Sequence, residues 1–131
     1  MDKIFEAALS NDTRVIREFL KFGNVNITDK NGSSLLHYAT RGNALEVAGL
    51  LLDNHINLNI KNASGETPLF EAVSRGQLGF CKLLCRYNAS SDVVNECGES
   101  IYFKAILKGT DTPYYPFLFI TVRFNRCFYE I

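Results

Sequence analysis

The chain has 131 residues, 47% of them hydrophobic and 21% charged, with fourteen Lys and Arg balancing fourteen Asp and Glu. That length suits one domain with a modest core, and the composition excludes a disordered chain. Zero formal net charge gives no general electrostatic reason to bind nucleic acid or an anionic membrane surface.

The opening segment, MDKIFEAALSNDTR, is mixed in charge and lacks the basic start, apolar stretch and cleavage site of a signal peptide. No apolar run approaches the roughly 20 residues that span a bilayer. Cytoplasm or nucleus is the expected compartment, with the four cysteines as free thiols. On that footing the five Asn-x-Ser/Thr triplets, at Asn11, Asn26, Asn31, Asn62 and Asn88, read as turn formers rather than glycosylation sites.

The first unit, over 1–29, reads as two helices that place Ile4, Ala7 and Ala8, then Val15, Ile16, Phe19 and Leu20, on an apolar side. From there the chain repeats itself. GSSLLHYATRG at 32–42 returns as GETPLFEAVSRG at 65–76 and GESIYFKAILKG at 98–109, with Gly32, Gly65 and Gly98 a constant 33 residues apart and Ala39, Ala72 and Ala105 likewise. An Asn or Asp stands three residues before each Gly. Each Gly suits a turn with φ > 0, and Ser34, Thr67 and Ser100 stand where a hydroxyl would cap a helix. Pro68 falls at the first helical position, the one that tolerates it.

In the second copy a short helix is predicted over 68–75. A second helix over 78–87 carries Leu78, Cys81, Leu84 and Cys85 at buried-stripe spacing; its counterpart over 45–54 carries Val47, Leu50, Leu51 and Leu52. His55 and Asn88 sit where the chain must leave a helix in the left-handed region.

A turn followed by two antiparallel helices every 33 residues resembles the ankyrin repeat. The residues that carry the resemblance are GETPLFEAVSRGQLGFCKLL and GSSLLHYATRGNALEVAGLLLDNHINLNIKN, and the likeness covers about 4–109. It implies an all-α solenoid of stacked helix-turn-helix units joined by β-hairpin-like loops: a capping unit over 1–29, repeats over 30–62 and 63–95, and a partial repeat over 96–109. Residues 110–131 break the pattern, with Pro113 and Pro116 where a helix interior is due and an aromatic, β-branched stretch over 117–122 that resembles an edge strand. This tail is either a native cap or partner-binding strand, or the end of a truncated, alternatively spliced or mispredicted reading frame.

Candidate chemistry is sparse. His37 lies three residues after Ser34, but its slot holds Phe70 and Phe103 in the next copies, and the resemblance gives it a structural hydrogen bond between turns. Cys81 and Cys85 align with the core positions Ala48 and Leu52, and no further ligand completes a metal site. Cys97 falls at an exposed loop tip. Glu71 aligns with Tyr38 and Lys104, which predicts a solvated or partner-facing side chain and no acid pair with Glu66. No phosphate-binding or nucleophile motif occurs, so neither catalysis nor a cofactor is expected.

The resemblance implies a protein partner, contacted through loop tips and the exposed side of the first helices. In the first repeat these are Lys30, Asn31, Ser33 and Arg41. In the second they are Ala63, Ser64, Glu66, Ser74 and Arg75, with Tyr87 near the end of its second helix; in the third, Glu96, Cys97, Glu99 and Lys108. Arg41, Arg75 and Tyr87 are the expected anchors. The function expected is a non-catalytic interaction module, and the alternative is the N-terminal part of a larger repeat protein with a scaffold or regulatory role.

Overall fold

The computed structural model describes residues 2–101, 103 and 104. Six helices are found among them: α1 (Asp2–Leu9), α2 (Thr13–Phe22), α3 (Leu35–Arg41), α4 (Leu45–Asp53), α5 (Pro68–Ser74) and α6 (Leu78–Arg86). They pair along the chain, α1 with α2, α3 with α4 and α5 with α6. The first helices stack in one layer, α1 on α3 on α5, and the second helices in another, α2 on α4 on α6.

Local chemistry sets the start of α3, of α5 and of the helical turn that follows Ser100, the inner helices of the three repeats. Ser34 Oγ accepts the His37 amide, while the Ser34 amide donates to His37 Nδ1, a reciprocal cap. Thr67 Oγ1 accepts the Phe70 amide and Pro68 follows at the first helical position. Ser100 Oγ accepts the Phe103 amide in the third copy. The exits are equally regular, since Asn43 and Gly76 take positive φ between paired helices, and His55 and Asn88 take it after them.

The core lies between the two layers. Leu35, Leu36, Leu69 and Phe70 from the inner helices meet Val47, Leu51, Phe80 and Leu84 from the outer ones, all fully buried. Each such side chain contributes about 1.5–3 kcal/mol of apolar burial. Cys81 and Cys85 are buried free thiols within this core and Cys97 is exposed, each as its slot predicts. Ile16 anchors α2, but Val15, expected on the apolar side, faces solvent, because α2 turns Ile16, Phe19 and Leu20 inward and leaves the neighbouring position outside. Phe22, at the end of α2, is 94% exposed.

At Gly42 the backbones of two units come into close contact. A Cβ there would lie 1.8 Å from the Leu9 carbonyl oxygen, so α1 and α3 can meet at this point only without a side chain. Most of the third helix pair and the whole of 110–131, including the predicted strand, lie outside the described residues, as does Lys108.

Candidate functional site

Three hairpin loops line one edge of the stack, each with the same internal wiring. Asp29, Asn62 and Asn95 occupy one slot, and a side-chain oxygen of each accepts two amides further on: Asn31 and Ser33, Ser64 and Glu66, Cys97 and Glu99, at 2.8–3.1 Å. The amides of Asp29, Asn62 and Asn95 donate in return to the carbonyls of Ser33, Glu66 and Glu99, each at 3.0 Å. Antiparallel bridges join Thr28 to Ser34 and Val94 to Ser100. Gly32, Gly65 and Gly98 take φ of 76°, 77° and 80° at the turns.

The tips are then tied to one another by main-chain atoms. The Ala63 amide donates to the Asn31 carbonyl at 2.8 Å, and one repeat later the Glu96 amide donates to the Ser64 carbonyl at 2.9 Å. At the opposite ends of the loops, Asn26 Oδ1 accepts the Asn57 amide and Asn59 Oδ1 the Ser90 amide, again one repeat apart. His37 adds a buried link: with Nδ1 accepting from the Ser34 amide, Nε2 carries the proton and donates to the Glu66 carbonyl at 2.8 Å. Burial holds the imidazole below its ordinary pKa, partly offset by that bond to Glu66.

Behind the tips the inner helices present a bonded polar row. Arg41 Nε and Nη2 donate to the two oxygens of Glu71 at 3.0 and 2.8 Å, and Nη2 also donates to Ser33 Oγ. Asn62 Nδ2 completes the Glu71 carboxylate at 3.1 Å. The Arg41 guanidinium lies 5.1 Å from the centroid of the Tyr38 ring, which in turn packs on Phe5. The hydrogen bond to Glu71 is the main reason the Arg41 pKa is raised. Burial pushes the Asp29 carboxyl up, but the Tyr38 hydroxyl, the Ser33 and Asn31 amides and Arg41 together hold it below its ordinary value.

One slot pairing explains this row. Asp29 is an acceptor and its helix partner Tyr38 a donor; one repeat later Asn62 supplies the donor and Glu71 the acceptor. In the third copy Asn95 and Lys104 are both donors, and Glu99 bridges them, accepting from Asn95 at 2.9 Å and pairing with Lys104 at 3.0 Å. Those two contacts, Asn95 first, lower the Glu99 pKa.

Two expectations need correction. Glu71 is neither solvated nor partner-facing but 6% exposed, because Arg41 and Asn62 from the preceding unit enclose it. Arg41, expected as an exposed anchor alongside Arg75, shares its slot with Ser74, whereas Arg75 shares its own with Gly42. Arg41 is half-buried and bonded within the fold, whereas Arg75, the cap residue after α5, is exposed.

The other candidates separate in the same way. Lys30, Asn31, Ala63, Ser64, Glu96 and Cys97 are exposed along the tips. Ser33 is 2% exposed, which removes it from the surface. Glu66, Ser74 and Glu99 are half-buried, and Glu66 accepts from Asn95 Nδ2 at 3.2 Å. Tyr87 is exposed on the outer layer, away from the tips, and its hydroxyl donates to Asp53 at 3.1 Å, the chief cause of its raised pKa. Among the described residues no group of three or more His, Cys, Asp or Glu is placed to hold a metal, and no helix is long and apolar enough to cross a membrane.

A family model described as ankyrin repeats, in three copies, matches residues 4–111. No curated protein matches the chain.

Proposed function

The chain belongs to the ankyrin-repeat family, and from that premise we propose that it is a non-catalytic module binding a protein partner through its loop tips and the adjoining inner-helix face. Ankyrin repeats are generally protein–protein interaction modules. One observation carries the assignment to the tips: the ladder through Asn31, Ala63, Ser64 and Glu96 uses backbone atoms alone, so the side chains of the tip row are presented outward in fixed register. Lys30, Asn31, Ala63, Ser64, Arg75 and Glu96 are the exposed contacts, and the cytoplasm or nucleus is the proposed setting.

Photo-crosslinking from Ala63, with Arg14 on α2 as control, tests the face. The expected result is a partner captured from Ala63 and not from Arg14, whose purified form then loses affinity for the Ala63→Arg/Ser64→Arg variant. Equal capture from both positions, or unchanged affinity, rejects the face.

A second reading, the N-terminal part of a larger ankyrin array, is favoured by the exposure of Val94 (51%) and Phe103 (44%) on the third unit. Phe70, in the slot of Phe103 one repeat earlier, is fully buried. A cooperative helical melt of the 131-residue chain speaks for an autonomous module, and a non-cooperative melt for a piece of an array.

A further inference from the structure

The tip row has an electrical direction. Slot by slot it reads Lys30, Ala63, Glu96, all exposed, and the two ladder bonds fix the order in which they stand. Neighbouring charges strengthen the sense of it. Lys61 is exposed beside the second hairpin, and Asp29, next to Lys30, is turned inward onto Tyr38 and two amides. At the other end Glu66 and Glu99 flank Glu96, sharing Asn95, with Lys104 as the one cation bonded there among the described residues. The exposed side chain at the first tip is therefore cationic and that at the third anionic, with a methyl group between.

We propose, building on the tip-binding reading above, that this edge is charge-ordered and fits an extended protein segment bearing an acidic side chain over Lys30 and a basic one over Glu96. Packed helices lie about 8–10 Å apart, so two units separate these tips by roughly 16–20 Å. An extended segment covers that span in about six residues. Opposite charges at matching spacing favour one orientation and one class of partner over segments with like-charged ends.

Three stiff probes test this: Glu-Glu-(Pro)₅-Lys-Lys, and the same spacer with Glu-Glu or Lys-Lys at both ends. Each is titrated into the ¹⁵N-labelled full chain at low salt, following the amides of Lys30, Ala63 and Glu96. The mixed-charge peptide should bind about threefold tighter than either like-charged one, the scale of two exposed ion pairs, and salt should erase the difference. Lys30→Glu should shift the preference to the doubly basic peptide, and Glu96→Lys to the doubly acidic one. The double exchange should restore preference for mixed charge. The same ranking in all four proteins, or no detectable binding, overturns the charge order. The Ala63 crosslink is read separately: a partner still captured there while the ranking fails leaves the proposed function standing, and loss of that capture rejects the tip face itself.

Discussion

Arg41 and Glu71 are thirty positions apart in the chain and joined by a two-pronged ion pair that bolts one repeat to the next. The carboxylate is nearly enclosed while about a quarter of the Arg41 side chain still meets water, so the pair sits between the buried and surface regimes. Replacing Arg41 with Met removes its partner from a buried carboxylate, whereas replacing Glu71 with Gln keeps the shape and one acceptor. The expected costs are about 2 kcal/mol for Arg41→Met and about 1 kcal/mol for Glu71→Gln. Denaturant melts of both singles and the double should return a coupling of about 1 kcal/mol; additive losses would show the pair to be energetically idle.

His37 makes stability depend on pH in a defined window. Burial holds it below its ordinary value of 6.5, so the unfolded chain takes up this proton first as pH falls. The contribution of neutral His37 is complete above about 6.5 and is lost on moving down toward the depressed folded value. Asp29, Glu46 and Glu99 are lowered from 3.8, 4.5 and 4.5, so they act further down the scale. The melting midpoint should fall between pH 7.5 and 5.5 in the wild type. His37→Phe, which copies the slots of Phe70 and Phe103, should flatten that slope. An unchanged slope would mean that His37 does not titrate on unfolding.

Two glycines should respond oppositely to the same substitution. Gly42→Ala drives a methyl into the Leu9 carbonyl and should cost about 2–3 kcal/mol or more. Gly49 lies within α4 with open space around its missing Cβ, and Gly49→Ala should stabilise by about 0.5–1 kcal/mol. Paired thermal melts check both signs at once.

What the sequence disclosed, and what it withheld, follows from where the cause of each feature lies. The hydroxyl at Ser34 or Thr67, Pro68, and the turn glycines act within a few residues of themselves, so a comparison of copies finds them. Glu71 was misread because Tyr38 and Lys104 in its slot suggested an unconstrained surface position. Its constraint comes from Arg41 and Asn62 in other slots, and only a reading across slots reveals that the loop-base residue and the helix residue nine positions on exchange donor and acceptor between the first two copies, while in the third both donate to Glu99. Arg41 was expected as an exposed anchor, yet the same Glu71, far along the chain, draws it into the fold. The exposed tips were legible from their register alone. Their directional charge needed the ladder, which has no signature in side-chain identity.

That ladder has a bearing on how such a protein changes over time. Asn31 and Ala63, then Ser64 and Glu96, are joined through atoms that every residue except proline possesses. A substitution at Lys30, Ala63 or Glu96 therefore alters what the edge says without loosening what holds it in place. Lineages carrying this scaffold can explore new vocabularies one letter at a time, each trial made on a fold that has already been secured.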